Sequence, residues 1–205
     1  MKILNFIVET SVGPTVNHIL SKCNSESERN AFYFSYSAFT TLQKNSPLSG
    51  DNYIFVIARV VELLRIYGFP NEVLTAAWIY KVFVYSPAST ISTLSIFGES
   101  VTNMVKCLSP VNISLCPSKR ARRSEERRSL LNSNRECKSI KCAELLIHSS
   151  FMKKRSLLAA NKYQSENTDL LLSLEGASPE LFEAVRTMMR TNEAVDNLLN
   201  YVKSI

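Results

Sequence analysis

An all-α bundle of roughly eight to ten helices is what this sequence predicts, on three observations. Apolar side chains recur at the spacing of a helical face through most of the chain. Only five glycines occur in 205 residues, too few for a fold of many tight turns or for a glycine-rich phosphate loop. The chain is 45% hydrophobic and 20% charged, with a mean hydropathy of −0.02, which argues against both a disordered chain and a membrane protein. A chain of this length buries roughly 70% of its unfolded surface, so its core needs neither disulfide nor metal.

The opening run from Met1 to Glu9 is apolar but is interrupted by Glu9. It is too short for a signal segment with its cleavage site. No stretch approaches the roughly 20 apolar residues of a spanning helix. The expectation is a cytoplasmic protein with no membrane span, with a secreted effector entering a host cell left open. The next segment, Ala31 to Leu42, brings Phe32, Phe39 and Leu42 close to one face, with Tyr36 nearby. Tyr53 to Tyr67 reads as a helix stopped by Gly68. Pro70 and Asn71 open another, Glu72 to Val84, which is apolar nearly all round and so belongs at the centre of a bundle.

Ser86-Pro87 breaks that helix. Ser89 or Thr90 caps a short one ending near Phe97-Gly98, and Glu99 to Leu108 forms the next. From Ser109 to Ser133 the prolines and a basic cluster read as a long exposed loop running into a helix start. Helical patterning returns for Glu136 to Met152 and continues more weakly to Ser165. Ser178 caps a helix with Pro179 first and Leu181, Val185 and Met188 on its apolar face. A closing helix over Asn192 to Val202 carries the stripe Val195, Leu198, Leu199 and Val202, and Leu170 to Leu174 is the tail's most apolar surface candidate. If that stripe is exposed, a homodimer or hetero-complex follows.

The five cysteines (Cys23, Cys107, Cys116, Cys137, Cys142) have no paired short spacing, and the two histidines, His18 and His148, complete no zinc pattern. Reduced structural thiols are expected. Cys142 and His148 stand six apart, on different faces of a helix, which argues against a thiol nucleophile with its base.

Four short stretches carry a resemblance. Ser49-Gly50-Asp51-Asn52-Tyr53-Ile54 is followed by Val60-Val61-Glu62-Leu63-Leu64-Arg65-Ile66-Tyr67-Gly68. Then come Ala76-Ala77-Trp78-Ile79-Tyr80-Lys81-Val82-Phe83-Val84-Tyr85-Ser86, with Thr90 and Ile96-Phe97-Gly98-Glu99-Ser100-Val101 after it, and last Ile140-Lys141-Cys142-Ala143-Glu144-Leu145-Leu146. In order and separation they resemble the RelA/SpoT-type HD phosphohydrolases, the (p)ppGpp hydrolases and their metazoan relatives, over roughly residues 30–155. The resemblance implies an HD-domain-like helical domain over 1–165, with 166–205 as a helical extension packed on it.

It also implies where the family's chemistry would fall. Val56 stands at the place of a metal-binding histidine, and Tyr80-Lys81 at the His-Asp pair. Val84-Tyr85 stand for the Glu-Asp serving the hydrolytic water, Glu144 for the last metal-binding aspartate, and His148 for a substrate-contacting asparagine. A divalent metal needs carboxylate and imidazole lone pairs. Lys81 puts a positive charge where the cation would sit, a repulsion of roughly 4 kcal/mol at about 4 Å and an effective dielectric near 20. No metal, no cofactor and no catalytic residue are therefore expected, and the chain reads as a pseudoenzyme.

Lys81 either pairs with Glu144, standing in for the cation, or reaches solvent while Glu144 pairs on its own helix. Tyr80 and Tyr85 read as core or rim aromatics and His148 as a satisfied structural histidine. The formal charge of +6 is weak support for nucleic acid as a partner. The basic cluster Lys119, Arg120, Arg122, Arg123, Arg127 and Arg128 is a solvated helix start, a phosphate-contacting patch, a docking surface for an acidic partner or, least favoured, a nuclear-localisation run. The expected function is a protein-binding regulator or effector. The alternatives are a sensor holding (p)ppGpp or a related guanine nucleotide through Lys81, Lys44 and the basic segment without cutting it, and, less favoured, a residual hydrolase.

Overall fold

Five of the ten described helices begin at a residue whose side chain takes over an orphaned backbone donor. Thr15, Ser25, Ser118, Asn134 and Ser156 each accept from the N–H three residues on. The computed structural model describes residues 15–45, 52–85, 91–109 and 116–190, with the backbone alone at 91 and 92. The elements are α1 (Val16–Lys22), α2 (Glu26–Thr41), α3 (Ile54–Ile66), α4 (Asn71–Tyr85) and α5 (Ile91–Leu94), which runs into a 3-10 turn (Ser95–Phe97). After them come α6 (Glu99–Leu108), α7 (Lys119–Leu131), α8 (Arg135–Arg155), α9 (Leu157–Asn167), a 3-10 stretch (Thr168–Leu174) and α10 (179–190). No strand occurs among the described residues.

α4 is the hub, as its all-round apolar sequence predicts: nine of its residues from Val73 to Val82 are buried. α2 and α6 pack along it, and α3 and α8 close its other side. The apolar cluster is continuous from Ile19 through Trp78 and Ile140 to Leu170, Leu174, Leu181, Val185 and Met189, so the C-terminal elements share the core of the rest. The helix ends follow their glycines. Gly68 and Gly98 have φ of 73° and 89°, a region open to glycine at little cost.

Glu28 anchors one end of the bundle. It caps α2 by accepting from the Asn24 N–H at 3.0 Å, while Ser25 accepts from its own N–H at 3.1 Å, a variant of the capping box. The fully buried carboxylate also takes both terminal nitrogens of Arg65 and the Trp78 indole N–H at 3.2 Å. One side chain thus ties α2 to α3 and α4.

Four expectations need correction. Leu42 is not on the buried face, because α2 ends at Thr41 and leaves it 40% exposed. The helix from 136 does not continue to Ser165: the chain turns extended at Ser156 (φ −171°), which ends α8 and caps α9. The basic cluster lies on α7 rather than in a loop; Ser118 starts that helix by accepting from the Ala121 N–H at 3.1 Å. Leu170 and Leu174 are core, with Leu172 alone of the run exposed. Ser178 stands before α10 as expected, and its carbonyl accepts from the Phe182 N–H. Its hydroxyl, however, donates to Glu180. Ser49 to Asp51, Ser86 to Thr90 and the stripe Val195 to Val202 lie outside the described residues.

Candidate functional site

The C-terminal half of α4 faces the middle of α8, and the two helices bring Lys81 and Glu144 together. The Lys81 ammonium donates to Glu144 Oε1 at 2.6 Å. The other carboxylate oxygen accepts from the Tyr80 hydroxyl at 3.0 Å and from Lys141 Nζ at 3.1 Å. Lys141 in turn pairs with Glu126 of α7. Two ammoniums and two carboxylates therefore alternate across α4, α8 and α7, largely out of water. Burial alone would raise the Glu144 carboxyl, but Lys141 and Lys81 hold it well below the usual carboxylate range. Burial opposes the charge on Lys81, and the facing Glu144 more than restores it. Of the two arrangements open for Lys81, the structure has the ion pair.

Beside this network His148 hydrogen-bonds the Tyr53 hydroxyl through Nε2 at 3.3 Å and packs against the rings of Tyr53 and Tyr163. Burial pushes the imidazole down to about 4, with Lys81 and Lys141 adding to the shift and Glu144 opposing it. The folded state thus takes up this proton later than the unfolded chain, whose histidine titrates near 6.5. Its contribution to stability is complete above about pH 6.5 and is lost as pH falls toward about 4, a difference of roughly 2–3 kcal/mol. Urea midpoints between pH 4 and 7 are expected to fall more steeply for the native chain than for His148→Phe. Parallel slopes would mean that the folded site already holds the proton.

Network and histidine form the floor of a pocket of about 470 Å³. Lys44 and Tyr85 stand on one wall, with the Lys44 ammonium 4.2 Å from the Tyr85 ring centre. Lys119, Arg122 and Arg123 of α7 form the other, and Tyr163 and Asn167 of α9 close the end. The lining holds six cations against the two carboxylates Glu126 and Glu144. Lys119 and Arg123 share Glu166 at 2.7 and 3.0 Å, and Arg122 has no acidic partner among the described residues. The positive surplus is therefore concentrated at the mouth, above a floor that is internally neutralised.

Of the positions singled out in the sequence, Lys81, Val84, Tyr85, Glu144, His148, Lys44, Lys119, Arg122 and Arg123 line this one pocket, and Tyr80 hydrogen-bonds into it from the core. Val56 does not join them: it is buried in the core on α3. Arg120 is exposed outside the lining, Arg127 pairs with Asp169 and Arg128 with Glu125. Lys141, Glu126, Tyr53 and Tyr163 were missed. Lys141 was within reach of a sequence reading, since it stands one helical turn before Glu144; Tyr163 and Glu126 come from other helices, and no local signal marks them.

No protein-family model and no curated protein sequence matches this chain. Among solved structures it is similar to one described as a metazoan orthologue of SpoT that hydrolyses ppGpp and plays a role in starvation responses. The TM-score is 0.69 at 16% identity, covering 82% of this chain and 96% of that one. The bundle is accordingly an all-α fold of the HD-domain type. Among the described residues no helix is long and apolar enough to cross a membrane.

Proposed function

We propose that this chain is a non-hydrolysing HD-type domain that binds a multiply phosphorylated small molecule, of which a guanine nucleotide such as (p)ppGpp is the first candidate. The observation carrying the reading is the ion pair of Lys81 with Glu144 beneath a mouth where four cations, Lys44, Lys119, Arg122 and Arg123, face one carboxylate, Glu166. The residues here do not fit a divalent metal: valine offers no lone pair, the Tyr80 hydroxyl is committed to Glu144, and an ammonium already takes the carboxylate. A pocket of this size is in the range that holds a nucleotide-sized ligand, and cations at its mouth suit phosphate oxygens. Its concave, cation-lined shape favours a small anion over a protein docked on a flat basic face. Regulation through a partner protein remains compatible with it, as the route by which a bound state is passed on.

Isothermal titration is the test. Guanosine tetraphosphate or pyrophosphate is expected to bind without manganese, with affinity falling as salt rises, and to be recovered intact after incubation with it. Arg122→Ala combined with Lys44→Ala is expected to weaken binding at least tenfold, the scale of two charge-assisted hydrogen bonds. Absence of heat at high micromolar ligand would remove the sensor reading; manganese-dependent phosphate release that survives Lys81→Ala would point to a contaminant.

A further inference from the structure

Two of the four cations at the pocket mouth are already engaged. Lys119 and Arg123 stand one turn apart on one face of α7. Both donate to Oε2 of Glu166 on α9, at 2.7 and 3.0 Å. Glu166 lies between Tyr163 and Asn167, which close the end of the pocket. It stands beyond the stretch 30–155 that resembles the hydrolase family, so no family position marks it. The hydrogen bond from Lys119 foremost, with the charge of Lys119 and the bond and charge of Arg123, holds the Glu166 carboxyl below its ordinary value. At neutral pH it is therefore an anion that occupies both cations.

These outer pairs differ in kind from the one on the floor. The Lys119 and Glu166 side chains are 58% and 29% exposed, against 12% and 6% for Lys81 and Glu144. Water screens the outer pairs, so little free energy holds them. The floor pair cannot open without stranding a buried charge. Leu130 is the one buried residue of α7, and the N-terminal half of that helix carries no buried side chain. Lys119 and Arg123 can therefore turn on their long stems without opening the core.

Resting on the anion-binding reading above, we propose that Glu166 is an internal counter-ion that a ligand phosphate displaces. On binding, Lys119 and Arg123 turn from the carboxylate to phosphate oxygens and join Lys44 and Arg122. The carboxylate carries one negative charge, whereas a terminal phosphate group carries about two, spread over three acceptor oxygens. The phosphate therefore outcompetes it for an ammonium and a guanidinium. Glu166 opposes binding twice over: its two pairs must be broken, and its freed charge then stands beside the bound anion.

Isothermal titration of the full chain with pyrophosphate is the test, with Glu166→Gln and Asp169→Asn beside the native protein. Each substitution removes one negative charge facing α7, but Asp169 pairs with Arg127, which lies outside the pocket lining. Glu166→Gln is expected to bind roughly fivefold tighter than the native chain, the scale of two screened ion pairs. Asp169→Asn is expected to stay within about twofold of native. The urea midpoint of Glu166→Gln is expected to fall slightly, so that stability and affinity move in opposite directions; a residue with a structural role alone would lower both. Native binding that Glu166→Gln does not tighten, or a gain that Asp169→Asn matches, would overturn the proposal and leave the pocket an anion site. Absence of binding in all three proteins would overturn both.

Discussion

Glu144→Ala is expected to destabilise the chain by about 3–5 kcal/mol, the range for removing one partner of a buried ion pair. The reason lies in what the substitution leaves behind. Lys141 keeps Glu126, but Lys81, largely shielded from water, loses the carboxylate 2.6 Å away, and the Tyr80 hydroxyl loses its acceptor. Glu144→Gln, which keeps an acceptor for Tyr80, is expected to fall between alanine and the native residue. Joining it to Lys81→Met removes both charges and is expected to recover most of the loss, because a buried pair replaced by apolar groups of similar size is often close to neutral. Urea unfolding of the four proteins at pH 7 gives the comparison. If the double variant loses as much as Glu144→Ala, the ammonium is not held by this carboxylate. The carboxyl sits well below its ordinary value, so its contribution is complete above about pH 4.3 and is lost only as pH falls through the folded value.

Glu28→Ala is the second large effect, again about 3–5 kcal/mol, and it lies away from the pocket. The carboxylate is fully buried, and its loss strands the Trp78 indole N–H and the Asn24 N–H and leaves the Arg65 guanidinium with Glu62 alone. It also removes an acidic residue from the first turn of α2. Glu28→Gln keeps one acceptor oxygen and the length of the side chain, and should lose about half as much. Because the network joins α2, α3 and α4 but does not touch the mouth, the folded fraction of Glu28→Gln is expected to bind pyrophosphate as the native chain does. A parallel loss of binding in that fraction would mean that the pocket depends on this end of the bundle.

The two buried carboxylates differ in how readily the sequence disclosed them. Glu144 drew attention because the surrounding stretch resembles a family in which a metal-binding aspartate stands there. Glu28 gave no such signal, although Ser25 and Glu28 have capping-box spacing: its other partners, Arg65 and Trp78, lie 37 and 50 residues further on. The basic cluster was read in composition but not in conformation, since prolines on its N-terminal side suggested a loop, and the cap at Ser118 outweighed them. The break at Ser156 was missed because apolar residues continue past it at helical spacing. There the hydroxyl cap for α9 decides the boundary, and periodicity does not report it.

Residues a few positions apart were enough for the sequence alone to determine the helical class, the central place of α4 and most helix ends, because propensity, periodicity and capping act within one or two turns. Which charges meet was decided only by the tertiary structure. Lys81 beside Glu144 and Glu126 reaching Lys141 are contacts between different helices, and an ion pair depends on the few ångströms of separation that packing sets. The resemblance put Lys81 and Glu144 at two separate positions of one metal site; the crossing of α4 on α8 made them neighbours.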